Sequence, residues 1–121
     1  MKVFLVINII VAIIGLCLLF YASKNSQPAY ISIKEIDSTY IGKTISTKGE
    51  IVYVSYNKGH VFLKIREENS TIDVPIFSNI AKFLDIELRK GETISVTGIV
   101  DEYKGKLQII PRKTSDIKVI E

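Results

Sequence analysis

At 121 residues, 47% of them hydrophobic, the chain is too short for two full globular domains and long enough for one core of modest size. A formal net charge of +3 permits contact with phosphates but does not mark a protein that neutralises many of them. The single cysteine, Cys17, excludes an intrachain disulfide and any cysteine-based metal motif.

Val3 to Ala22, VFLVINIIVAIIGLCLLFYA, contains no charged residue. As a helix rising about 1.5 Å per residue it spans ~30 Å, the thickness of a bilayer's hydrocarbon core. Lys2 and Lys24 flank it, and Phe20 and Tyr21 stand at its far end, where aromatic rings favour the interface. The run exceeds the ~7–15 apolar residues of a cleaved signal and lacks a small-x-small cleavage site. Leu16 before Cys17 does not suit a lipoprotein. Residues 1–22 therefore read as a single-pass transmembrane helix, an uncleaved signal anchor touching the membrane through residues 3–22. The flanking lysines do not decide its orientation, so the side on which the rest of the chain lies stays open. Residues 23–29, including SKNSQP, form a short polar linker closed by Pro28.

From Tyr30 the pattern changes to period-two alternation, the mark of strands with one buried face. YISIKEI reads as a short strand or extended lead-in, ended by Asp37-Ser38-Thr39 and a turn at Tyr40 to Lys43. Thr44 to Tyr56 is a long strand whose Gly49 suggests a bulge or sharp bend. Asn57-Lys58-Gly59 is a hairpin turn, His60 to Glu67 a second strand and Thr71 to Phe77 a third, with Pro75 late in it as suits an edge or an end. Ser78 to Leu88 switches to helical spacing through Ile80, Phe83 and Leu84, with Ser78 as N-cap and Arg89-Lys90-Gly91 as terminator. Gly91 to Arg112 is a hairpin turning at Lys104-Gly105, and Asp116 to Ile120 is a last short strand or tail. The stretch from Lys43 to Val52 matches the one from Glu92 to Asp101, each a long strand with a central glycine.

The order strand, strand, strand, helix, strand, strand resembles the oligonucleotide/oligosaccharide-binding (OB) fold, a five-stranded Greek-key barrel with one helix between strands three and four. The residues that carry the resemblance are IGKTISTKGEIV, GHVFLKI, IDVPIF, LRKGETISVTGIVDEYKGKLQI and SDIKVI. The expected class is thus mainly β, a barrel over residues 30–121 behind the N-terminal helix. The pattern is similar to the nucleic-acid-binding branch found in anticodon-binding, replication-protein and exonuclease-associated domains. That likeness implies a ligand face on the second and third strands, here His60 to Phe77, flanked by the loops Asn57–Gly59 and Tyr103–Lys106.

Read residue by residue, the second strand puts Val61, Leu63 and Ile65 on one face and His60, Phe62, Lys64 and Arg66 on the other. The polar face then sets an aromatic ring between bases, the combination that stacks nucleobases and meets phosphates. Tyr53 and Tyr56 near the first turn and Tyr103 near the last extend the platform, and Lys58, Lys104, Lys106, Arg112 and Lys113 supply charge at the rim. The expected nucleic-acid contacts are Tyr56, Lys58, His60, Phe62, Lys64, Arg66, Tyr103, Lys104, Lys106 and Arg112. His60 is the sole histidine, so no metal site is expected, and neither a catalytic residue nor a cofactor. Single-stranded DNA or RNA is the expected partner. The rival is a membrane-tethered module for protein interaction or assembly, using the same barrel as scaffold. The anchor-plus-barrel plan also resembles membrane-anchored haem chaperones, a likeness that implies a haem-attaching histidine in a tail after the barrel, and residues 112–121 contain none.

Overall fold

The computed structural model describes residues 2–25 and 28–120, with the backbone alone for 19–25. Residues 26–27 of the expected linker, and the side chains of Phe20, Tyr21 and Lys24, lie outside that description. The first element, α1, is a helix over Lys2–Asn25. Nearly all of its described apolar side chains, from Val3 to Leu18, are exposed. Among the described residues no helix is long and apolar enough to cross a membrane. The expected helix is therefore present, while its spanning role is not supported by the structure.

The remainder is a barrel. Its strands are β1 (Thr44–Asn57), β2 (His60–Glu67), β3 (Ser70–Ile76), β4 (Thr93–Tyr103), β5 (Lys106–Ile110) and β6 (Ile117–Val119). They pair in the order β1-β2-β3-β5-β4, and β1 also pairs with β4, which closes a ring of five; β6 lines the β4 edge. Closure between β3 and β5 is parallel and rests on one pair, Asp73 with Gln108. Pro75, which has no N–H to donate, lies in β3 beyond that single pair.

Two details of sequence make this closure possible. The β4–β5 hairpin turns on Lys104 and Gly105, both at positive φ (53° and 78°), the two-residue geometry whose twist matches the strands it joins. In the middle of β4, a Cβ on Gly98 would fall on the backbone carbonyl of Ile110, so only glycine lets the strands approach that closely. In β1 the expected irregularity at Gly49 appears a little further on. The β1–β2 register shifts between Ile51 and Tyr53, leaving Val52 as the extra residue of a bulge. Gly49 serves close packing instead, against the backbone of Arg66 and the Ile65 side chain.

Inside the ring sit Ile45, Ile51, Leu63, Ile65, Val74, Ile76, Ile94, Val96, Val100 and Ile109, all buried. The lead-in segment adds Ile33 and Ile36 to this core. It is extended only at a bridge from Tyr30 to Ser46, then turns as a short 3-10 helix over Ile33–Glu35.

The helix expected over Ser78–Leu88 is reduced to one turn, α2, Ser78–Ala81. Its N-cap is Phe77, without a side-chain cap bond, rather than Ser78. Beyond it the Phe83 and Leu84 amides bond three residues back, to Ile80 and Ala81, and the helix ends. Phe83 and Ile86 are exposed while Leu88 is buried, so no continuous helical stripe faces the core to sustain a longer element.

Candidate nucleic-acid interface

Strand β2 alternates as its sequence dictates: Val61, Leu63 and Ile65 are buried and Phe62, Lys64 and Arg66 point outward. Cross-strand partners share a face. Phe62 pairs with Ser55 and Pro75, and Lys64 with Tyr53 and Asp73. Tyr53 therefore stands on the Phe62 face, and the Val52 bulge is what puts it there. Before the bulge the odd positions of β1 (Ile45, Thr47, Gly49, Ile51) point inward; after it the even positions do.

The outer face of β2 and β3 carries a groove of two adjoining hollows. One, of about 320 Å³, lies among Tyr53, Phe62, Lys64, Asp73, Pro75, Tyr103 and Gln108. The other, of about 370 Å³, shares Phe62, Pro75, Tyr103 and Gln108 and adds His60 and Phe77. Tyr53 and Tyr103 are 54% and 61% exposed, enough to offer ring faces to a ligand. A third hollow continues past Lys64 and Asp73 towards Thr71, Lys106 and Leu107.

The charges on this face are largely matched. Lys64 lies 3.9 Å from Asp73 and Arg66 lies 3.5 Å from Glu50. Lys104 sits 5.4 Å above the Tyr103 ring, a cation–π contact that orients the ring at the hairpin tip. Gln108 donates to Asp101 across the β4–β5 ladder at 3.5 Å.

His60 is in the groove, in a structural position. Its Nδ1 accepts the Ser78 amide at 2.9 Å, satisfying a free N–H at the start of α2. Its ring meets Phe77 edge-on at 5.7 Å and Phe62 at 6.0 Å.

Of the ten expected contact residues, His60, Phe62, Lys64 and Tyr103 line the groove and Lys106 lines its continuation. Arg66 extends the same face. Lys58 and Lys104 sit in the two hairpin turns that bound it. Tyr56 is not brought to this face: it pairs with Val61, on the inward side of the strand, and emerges exposed at the barrel's end. Arg112 is also outside the groove. It follows β5 at the end remote from the Tyr103–Lys106 turn, and its amide is tied to Asp116 at 3.0 Å. Sequence reading held Asp73, Pro75 and Phe77 only within the implied ligand segment His60 to Phe77, left Gln108 out, and gave Tyr53 only as an extension of the platform. For Gln108 the one local signal was its polarity in the alternation of Leu107 and Ile109. Among the described residues no group of three or more His, Cys, Asp or Glu is placed to hold a metal ion.

A closed five-stranded barrel with aromatic rings gathered over β2 and β3 defines an OB-type binding domain. The chain belongs to the OB-fold nucleic acid binding domain family, whose pattern it matches over residues 45–117. It is 31% identical over 71 residues to the exodeoxyribonuclease 7 large subunit of Clostridium botulinum, covering 58% of this chain and 18% of that protein. With the same subunit of Acholeplasma laidlawii it is 25% identical over 87 residues, covering 71% and 19%. The chain spans about a fifth of the length of the curated relatives it matches. Among solved structures it resembles asparaginyl-tRNA synthetase from Pyrococcus horikoshii, with a TM-score of 0.60, 20% identity, and coverage of 75% of this chain and 23% of that one. Aspartyl tRNA synthetase from Entamoeba histolytica matches with a TM-score of 0.66 and 19% identity over 80% of this chain and 23% of that one. These two likenesses show the fold alone.

Proposed function

We propose that the chain is a tethered module that binds single-stranded DNA along the outer face of β2 and β3. The observation that carries this reading is the convergence of Tyr53, Phe62 and Tyr103, from three different strands, on one groove. Stacking on such rings contributes about 1–3 kcal/mol per base and tolerates any sequence. DNA is favoured over RNA by the relatives, which bear the name exodeoxyribonuclease 7 large subunit. In this reading the module binds without cutting, which the facing of Asp73 to Lys64 and of Glu50 to Arg66 supports. Incubating labelled single strands with the chain and Mg²⁺ should leave them intact.

The test is fluorescence anisotropy with the full-length chain in detergent and short DNA and RNA strands. Salt-sensitive micromolar binding of DNA is expected, weakened about tenfold by Phe62→Ala or Tyr103→Ala. Absence of binding to both polymers, or a Phe62→Ala variant that binds as well as the parent, would sink the reading; preference for RNA would redirect it.

The tether in this reading is α1. Its support is the uncharged sequence from Val3 to Ala22 and the exposure of the apolar side chains described there. The protein should stay with membranes after alkaline carbonate extraction, and protease protection in sealed vesicles reports which side holds the barrel. Release into the supernatant would remove the tether and leave the DNA reading untouched. A second reading, a protein-interaction module on the same barrel, draws on the paired state of Lys64 and Arg66. Pull-down of membrane proteins that persists after nuclease treatment would favour it.

A further inference from the structure

The single-stranded DNA reading leaves open whether the groove distinguishes bases, and its floor carries an arrangement that stacking does not need. Lys64 and Asp73 face each other across β2 and β3, and both line the hollow walled by Tyr53, Phe62 and Tyr103. Their charged atoms are 3.9 Å apart, beyond hydrogen-bonding reach, and their side chains are 41% and 39% exposed. Each therefore keeps its donors or acceptors for a third group. Gln108 beside them is part-buried, and its amide is turned towards Asp101. Among the described residues the floor thus presents a carboxylate whose two oxygens accept no hydrogen bond, next to an ammonium and under aromatic walls.

A base lying in this hollow has its Watson–Crick edge free, because the strand is single. A carboxylate is best met by two adjacent N–H donors, one for each oxygen. Guanine alone among the DNA bases offers them, at N1 and N2, with the O6 acceptor beside them for an ammonium. Adenine and cytosine carry one amino group next to a bare ring nitrogen. Thymine sets its single N–H between two carbonyls, which repel a carboxylate.

We propose that the groove selects guanine, with the Asp73 carboxylate accepting from N1–H and N2–H while the Lys64 ammonium donates to O6. Asp73 is then the specificity-determining residue, and the aromatic walls supply affinity common to all bases. The inference rests on the single-stranded DNA reading.

The test uses the full-length chain in detergent and thymine strands of roughly eight nucleotides, within the span such barrels cover. One central base is replaced in turn by guanine, adenine, cytosine, hypoxanthine (no N2 amino group) or 2-aminopurine (no O6 and no N1–H). The guanine strand should bind about tenfold tighter than the all-thymine strand, and both analogues should lose most of that gain. Asp73→Asn should erase the guanine advantage, read within that variant as the ratio of guanine-strand to all-thymine affinity falling to about one, whatever the variant's all-thymine affinity. Equal affinity across the base series overturns guanine selection and leaves the DNA reading standing. Preference for another base, or a guanine advantage that survives Asp73→Asn, overturns it equally. Failure to bind any strand overturns the DNA reading itself. The analogue series needs no variant, so a misfolded Asp73→Asn protein does not blunt the test.

Discussion

Asp37 shows how a fully exposed group acquires a defined role. Its carboxylate accepts from the Thr39 amide at 3.0 Å and from the Thr39 hydroxyl, capping the 3-10 turn Ser38–Tyr40. The hydroxyl first, then the amide, hold its pKa below the ordinary 3.8. A depressed carboxylate pKa contributes stability above the unfolded value, and that contribution is lost as pH falls through the folded one. An NMR titration of the Asp37 carboxyl should give a midpoint below that of a free aspartate, with Thr39 amide protection falling over the same range; an ordinary midpoint refutes the cap. Thr47 poses the opposite case. It is fully buried in β1, opposite Val96, and among the described residues its hydroxyl has no hydrogen-bond partner. A buried orphan hydroxyl costs about 1–3 kcal/mol relative to a satisfied one, and a methyl of the same shape carries no such penalty. Thr47→Val should therefore leave stability unchanged or raise it by about 1 kcal/mol in urea unfolding. A loss of more than about 1 kcal/mol would mean the hydroxyl has a partner after all.

Among the elements, β4 bears the most constraint, because β1, β5 and β6 all pair with it. A methyl on Gly98 meets the backbone of Ile110, which has no rotamer to turn aside. Gly98→Ala should cost about 3 kcal/mol, read as a lower urea midpoint with an unchanged slope. Gly105→Ala, which strains only the turn, should cost about 1 kcal/mol. Equal costs at the two positions would show that the close approach at Gly98 relaxes freely. The hairpins themselves were legible in the sequence: Lys58-Gly59 and Lys104-Gly105 sit where the turns form. The α2 segment was not, because the apolar spacing of Ile80, Phe83 and Leu84 says nothing of which side the barrel covers. Nor does sequence reveal that the first free amide of α2 finds its acceptor in His60, eighteen residues away.

For the molecule as a whole, charge limits how a strand is held. The net charge is only +3, and two of the outward bases of β2 already face acids. Lys58, Lys104 and Lys106 remain for phosphates at the margins of the groove. With about three phosphates neutralised, the slope of log affinity against log salt for single strands is about −2. A titration between dilute and physiological salt checks this; a slope steeper than about −4 would place the main contact on a more basic surface than the β2–β3 face.

By itself the sequence determined the strands and what they bury. Alternation is local, and so are the turn preference of Lys-Gly and the lack of a Cβ at Gly98. These suffice to specify a barrel with Phe62 facing out and Ile65 facing in. The tertiary structure alone decided which side chains meet. The Val52 bulge turned Tyr53 onto the groove and Tyr56 off it, since one extra residue reverses every side chain after it. Closure at Asp73 and Gln108 brought β3 against β5 and gathered residues 35 positions apart at the floor of one hollow. The bases expected to stand free on β2 found Asp73 and Glu50 beside them, because cross-strand register is set by the whole ring. A ligand meets that final arrangement, aromatic walls over a matched pair of charges.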